Sequence, residues 1–281
     1  MKKSVLFVLL FCLLVALSGC GNDDYAVERN YWKVQKQASN IFKNPHATPP
    51  KELERVIKLL SGLAQKYPNT QLAISAEFTI AKLYIIKEEY DQSRKQLKKL
   101  GSKYNKSKDL IAESLFLAGN SYEIQGKWAA ALEQYRRIMN EYPETVRGID
   151  IPVYIAQHYK IKYEPEKMYA AYNEAVGYYK SIAARHPDSP LAYNLNLLAA
   201  RCSTEIKDWQ AAIDTFKTML VSYKGKVNLD AIMLNIAGIY FYQLNNKDAA
   251  KKILGQLLNE YPKTNLKKFA NEMLKDINKN E

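Results

Sequence analysis

A small residue followed three positions later by a tyrosine or comparable side chain recurs along most of the chain. Ala81 with Tyr84, Gly119 with Tyr122, Ala156 with Tyr159, Ala200 with Ser203 and Gly238 with Phe241 fall in line. Twelve residues after the small position come Ser93, Ala131, Ala212 and Ala250. Four residues further come Leu97, Tyr135, Phe216 and Leu254, and three further Leu100, Ile138, Met219 and Leu257. Spacings of three, four and seven lie on one face of a helix. No stretch alternates with period two over a convincing length, so the pattern predicts an all-α chain without a sheet.

Each unit reads as two helices, with a break at Glu88-Glu89, Gly126-Lys127, Lys207-Asp208 or Asn245-Asn246. Asp and Asn there cap the second helix. The prolines respect the scheme, with Pro68, Pro143, Pro187 and Pro262 at helix ends and Pro165 in a break, so none is expected to interrupt a helix interior. An Ala or Gly at the centre of the first helix lets the second approach closely, while the tyrosine and leucine rows fill the groove on either side. One helical hairpin cannot bury its apolar face, so neighbouring pairs stack into a continuous core. The count is six pairs, the first spanning about 26–44 and 51–68, and a final helix near 264–278. Lys267, Lys268, Asn271, Glu272 and Lys275 suit that last helix as a polar cap.

Leu115, Ala118, Gly119, Tyr122, Ala131, Tyr135 and Pro143, with Leu234, Ala237, Gly238, Ala250, Leu254 and Pro262, resemble the tetratricopeptide pattern. The resemblance covers roughly 50–262 and implies a right-handed α-solenoid of about six helix pairs plus a C-terminal capping helix. Departures are the missing tryptophan of the first helix and Lys224 in place of a closing proline. Such arrays implicate the concave face, one place after the small position and three places before it. Here Phe78, Lys82, Phe116, Asn120, Gln157, Arg201 and Asn235 are the candidate groove residues, with Ile239 continuing the first of those rows. Cations and amides beside aromatic rings suit an extended peptide.

The fourth unit is irregular. From Ala156 to the next small position, Ala175, the interval is nineteen rather than twelve residues, and Ala175, Tyr179, Ile182 and Pro187 complete its rows. Seven residues are close to two helical turns. One added turn per helix predicts a pair that protrudes at its connecting loop, with Tyr163, Met168 and Tyr169 at the tip. Exposed aromatic and Met clusters favour protein contacts.

The N-terminus carries a different signal. Lys2 and Lys3 precede an apolar run from Ser4 to Leu17, too short to span a bilayer, which ends in Leu17-Ser18-Gly19-Cys20. That order resembles the lipobox of bacterial lipoproteins. The resemblance implies a signal peptide over 1–19, lipid on Cys20, a polar tether over 20–25 and a solenoid over 26–281. Two acyl chains on one residue anchor stably. Gly21 resembles an outer-membrane address, which places the protein at the periplasmic face of that membrane.

Composition narrows the classes. With 281 residues, 47% hydrophobic, the chain is neither disordered nor, with three cysteines, a disulfide scaffold. The net charge is +12; removal of residues 1–20 takes two lysines and no acid, leaving +10. Arg94, Lys95, Lys98, Lys99, Lys103, Lys106 and Lys108 form the densest basic run. An exported chain seldom meets nucleic acid, so a solvated face, anionic head groups or an acidic protein are the readings of this run, and no nucleic-acid partner is expected. Cys202 reads as a small buried helix residue. His46, His158 and His186 lie in different units, and no phosphate loop, nucleophile elbow or metal-ligand spacing occurs. No enzyme activity, metal or cofactor is expected.

The expected function is a lipid-anchored scaffold that binds other envelope proteins or peptides. Lipobox, length and repeat count resemble the BamD family, the lipoprotein component of β-barrel assembly. Alternatives are an adaptor coordinating cell-wall synthesis and a glycan-capturing lipoprotein of the same repeat class.

Overall fold

The computed structural model describes residues 22–279, with side chains from Glu28 on. The signal peptide and the lipidated Cys20 lie outside the described residues. Among the described residues thirteen α-helices follow one another: α1 (Asn22–Lys43), α2 (Pro50–Lys66), α3 (Gln71–Ile86), α4 (Tyr90–Lys103), α5 (Lys108–Ile124), α6 (Trp128–Glu141), α7 (Val146–Ile161), α8 (Pro165–Ala183), α9 (Pro190–Glu205), α10 (Trp209–Ser222), α11 (Asp230–Gly238), α12 (Lys247–Glu260) and α13 (Lys267–Lys279). There is no strand among the described residues. This is the predicted all-α, tetratricopeptide-type arrangement of six helix pairs and a last helix. Helix α1 already includes Asn22–Tyr25, the stretch assigned above to a tether.

Two compact units divide the chain, one up to Gln134 and one from Tyr135 on, the boundary falling inside α6. In the first, Val34, Ala38 and Ile41 of α1 join Val56 and Leu60 of α2 and Ala76, Ile80 and Leu83 of α3 in one buried cluster. Ala81, Leu97 and Leu117 form a second. In the other unit, Ala200, Phe216, Met219 and Ile236 share a core, and Ala237, Ala250, Leu254 and Leu257 pack with Ala270 and Ile277 of α13. The predicted cap residues Lys267, Lys268, Asn271, Glu272 and Lys275 are exposed.

Ser93, Ala131, Ala212 and Ala250 of the second helices are buried, as are Leu97, Tyr135, Phe216 and Leu254, and in pair four Tyr172, Ala175 and Tyr179. The first helices of pairs two to five begin at hydroxyl caps. Thr70, Ser107, Thr145 and Ser189 accept from the backbone N–H three residues on, at 3.0–3.4 Å. Asp208 and Asn246 cap α10 and α12 as expected.

The turns of pairs two to five share one geometry, and that of pair six shares its positive φ. Glu88, Gly126, Tyr163, Lys207 and Asn245 all adopt positive φ. The next residue donates to the carbonyl five back: Glu89 to Tyr84 and Lys127 to Tyr122 at 2.9 Å, Glu164 to Tyr159 at 3.0 Å, Asp208 to Ser203 at 2.9 Å. This is the 6→1 bond of a Schellman end. The row opened by Tyr84 therefore marks where each first helix is closed off.

Three expectations are corrected. First, pair four does not lengthen at its loop. Its turn matches the others, and α8 starts nine residues after Ala156, as α4 does after Ala81 and α10 after Ala200. The added residues lie at the far, C-terminal end: α8 has 19 residues where α4, α6, α10 and α12 have 14. Met168 and Tyr172 thus take the places of Ser93 and Leu97, and Ala175 that of Leu100. Tyr163, Met168 and Tyr169 sit at an ordinary turn, not on a protruding tip.

Second, the register of pair six moves by one. A π-turn over Ile239–Gln243 follows α11, with Leu244 N–H bonded to the Ile239 carbonyl, and Asn246 donates six residues back to Tyr240. A π-turn inserts one residue into the ladder. The buried small residue is Ala237, while Gly238 is only half-buried. Tyr240 takes the position of Tyr84, and Leu234 that of Phe78.

Third, Pro152 stands inside α7 and is buried. Proline removes the N–H that would reach the carbonyl four residues back, that of Gly148. The Tyr178 hydroxyl donates to that carbonyl at 3.0 Å, and the Tyr179 hydroxyl to the Ile149 carbonyl at 2.7 Å. Helix α8 thereby carries both donors to the helix that holds Pro152.

Candidate interaction surface

In the first unit the candidate groove residues come from α3 and α5. Phe78 and Phe116 are half-buried against Ala81, Leu97 and Leu117, so each is anchored to the core and remains partly open to solvent. Lys82 is exposed and Asn120 half-buried, each one place past the small residue. The structure thus brings Phe78 and Phe116 into one apolar cluster and leaves a cation and an amide beside it.

Sequence reasoning missed a polar cluster next to this row. Glu77 directly precedes Phe78 and accepts from Lys103 of α4 at 2.9 Å. That hydrogen bond, more than the opposing burial, holds the Lys103 ammonium above its ordinary range. Glu77 Oε2 and the Tyr104 hydroxyl are buried without a hydrogen-bond partner. The ion pair joins two members of neighbouring rows that carry no signal in residue spacing.

In the second unit Gln157 of α7 and Arg201 of α9 are exposed. The π-turn changes what α11 offers: Asn235 is exposed but no longer equivalent to Phe78, and Ile239 is buried. Arg201 is thus the exposed cation of this unit's row, with Gln157 as the amide.

At the turn of pair four, Tyr163 is 93% exposed and Ile161 74% exposed, Tyr169 is exposed, and Met168 is half-buried. Tyr163 combines this exposure with a φ of 56°. A bulky side chain in the left-handed region is disfavoured relative to glycine.

The basic run divides by role. Arg94 donates to Ser121 Oγ at 2.9 Å and Gln125 Oε1 at 3.0 Å, pairs with Asp91, and lies 4.1 Å over the Tyr122 ring. It therefore ties α4 to α5. Lys103 is held by Glu77. Lys95, Lys98, Lys99, Lys106 and Lys108 are exposed and make no ion pair among the described residues.

Cys202, His158 and His186 each have defined surroundings. Cys202 is buried, and burial pushes its thiol up to about 12, which keeps it protonated and inert at neutral pH. His186 Nε2 lies 3.0 Å from Glu144, and His158 packs edge-on against Tyr159. Among the described residues no group of three His, Cys, Asp or Glu side chains is placed to hold a metal. No described helix is long and apolar enough to cross a membrane.

Two segments, 113–145 and 231–264, match the family model described as tetratricopeptide repeat. They coincide with pairs three and six. No curated protein matches the chain. Among solved structures, the chain is similar to BtubC from P. vanneervenii at 13% identity, over 83% of this chain and 89% of that one, with a TM-score of 0.39. It is similar to pilF of Pseudomonas aeruginosa at 11% identity, over 91% and 100%, with a TM-score of 0.35. The TPR2AB domain of yeast Sti1 in its complex with pHSP90 has 12% identity, over 88% and 98%, with a TM-score of 0.34. No catalytic family is indicated.

Proposed function

We propose that this chain is a lipid-anchored scaffold of a bacterial cell envelope that holds extended stretches of other polypeptides against its first-helix faces. One observation carries the binding part: half-buried rings at Phe78 and Phe116 flanked by Lys82 and Asn120 in one unit, and an amide-cation pair, Gln157 and Arg201, in the other. Rings give area, and the amides and cations reach backbone carbonyls or a carboxylate. The anchoring part is supported by the order of charge, apolar run and Leu17-Ser18-Gly19-Cys20. Gly21 favours the outer membrane, and lipobox, length and repeat count favour, by resemblance to the BamD family, a place in β-barrel assembly.

Intact mass of the membrane-extracted protein tests the anchor: the account expects a chain starting at Cys20 with acyl groups, and a chain retaining residues 1–19 or a bare Cys20 contradicts it. Affinity purification then tests the partner. Barrel-assembly components support the reading, whereas wall synthases would favour the adaptor alternative and bound glycan the capturing one.

A further inference from the structure

The outer face of α1 carries a stripe that the repeat pattern does not use. Arg29, Trp32, Lys33, Lys36, Asn40 and Lys43 lie on one side of the helix, each three or four residues from another of the set, and all are exposed. The stripe holds four cations, one tryptophan and no acid. Trp32 is 63% exposed, with the Lys36 ammonium 5.3 Å from its ring centre. The opposite face, Val34, Ala38 and Ile41, is buried against α2 and α3, so the stripe is fixed outward. Beside it Arg29, Tyr31, Trp32, Glu28 and Leu72 of α3 line an open hollow of about 570 Å³.

Tryptophan is the side chain that settles at the boundary between head groups and acyl chains, and a basic stripe supplies the attraction to anionic lipid. Position agrees with chemistry. Helix α1 begins at Asn22, two residues after Cys20, and Trp32 lies about 15 Å further along the helix at 1.5 Å per residue. A lipid on Cys20 would hold this face next to the bilayer. We propose that the Arg29–Trp32–Lys33–Lys36–Lys43 face of α1 lies on the membrane surface and binds anionic phospholipid head groups. The proposal rests on the anchored reading for its position, while the stripe itself is independent of lipidation.

The test uses the full chain with Trp128→Phe and Trp209→Phe, so that Trp32 is the only tryptophan and is excited selectively at the red edge of the absorption band. The protein is reconstituted into vesicles rich in phosphatidylglycerol or made of phosphatidylcholine alone, each with and without brominated acyl chains. The expected result is severalfold quenching of Trp32 in brominated anionic vesicles and little in neutral ones. Arg29→Glu, Lys33→Glu and Lys36→Glu together should abolish it, while Lys95→Glu, Lys98→Glu and Lys99→Glu leave it in place. Unchanged helical circular dichroism shows that the variants fold. Absence of quenching in anionic vesicles, or equal quenching of the reversed variant, overturns the proposal, as does transfer of the effect to an acidic protein added in place of lipid. Mass analysis of Cys20 separates the two claims. An unmodified cysteine removes the anchor; the same protein added to preformed vesicles then decides the stripe, quenching supporting it and its absence refuting it.

Discussion

Tyr178 supplies the hydrogen bond that Pro152 cannot. The Gly148 carbonyl stands four residues before the proline, and the Tyr178 hydroxyl reaches it at 3.0 Å from α8. A helix interior proline costs about 3 kcal/mol, part of it in the orphaned acceptor. Tyr178→Phe should therefore destabilise the protein by about 1–2 kcal/mol. In a Pro152→Ala background residue 152 has its own N–H to offer, and the same change should cost only a few tenths. A thermal or denaturant double-mutant cycle reads the coupling, expected near 1 kcal/mol. Equal losses in both backgrounds would show that the hydroxyl does not serve the proline.

Gly148 is required by space rather than by backbone angle. A Cβ there would lie 2.2 Å from the Tyr142 carbonyl oxygen and 2.6 Å from that of Pro143. The link between α6 and α7 passes directly over the first turn of α7. Gly148→Ala should lower stability by about 1–3 kcal/mol despite its better helix propensity. A gain in melting temperature would contradict this packing.

The shifted register of pair six makes opposite predictions for adjacent residues. Ala237 is fully buried, whereas a Cβ on Gly238 meets only the Tyr242 ring at 4.0 Å. Ala237→Leu should cost about 1–3 kcal/mol by overpacking. Gly238→Ala should be neutral or stabilising by up to about 1 kcal/mol. Reversed effects on melting temperature would restore Gly238 as the close-approach residue.

These corrections show what residue spacing can carry. The rows through Ala81, Leu97 and Leu100 were legible because intervals of three, four and seven identify a buried face. The same arithmetic made pair four ambiguous: Met168, Tyr172, Ala175, Tyr179 and Ile182 continue one face at intervals of four and three, so a shift of seven leaves every residue in phase. Ala175 reads as the small position, but the turn bonds place Met168 there. In pair six two small residues, Ala237 and Gly238, are adjacent, and a π-turn announces itself by no residue type. Pro152 is in an apolar run that reads as helix, and its compensation comes from 26 residues downstream. The Asp208 and Asn246 caps, by contrast, were legible from residue type at the breaks. For the candidate surface, Phe78, Lys82, Phe116 and Asn120 follow from the repeat. The Glu77–Lys103 pair and the outward stripe of α1 depend on which helix faces meet, which spacing within one helix does not encode.

Alkaline stability provides a separate check. Burial raises the thiol of Cys202 to about 12 and the hydroxyls of Tyr179 and Tyr178 above their ordinary range. Between the unfolded and folded values the unfolded chain binds fewer protons, so stability falls as pH rises. The melting temperature should hold steady through neutral pH and drop above about 9, the ordinary thiol value. Cys202 should also resist alkylation at pH 8 until the chain is unfolded. Rapid labelling of the native protein would show that the thiol is accessible.

Photo-crosslinking in living cells tests the scaffold claim most directly. A photoreactive residue is placed in turn at Lys82 and at Arg201, on the first-helix faces, and at Lys98 of α4 as a comparison. The account predicts that the first two sites capture the same envelope polypeptide and that Lys98 captures none of it. Labelling from Lys98 alone, or no product from Lys82 and Arg201, would contradict it.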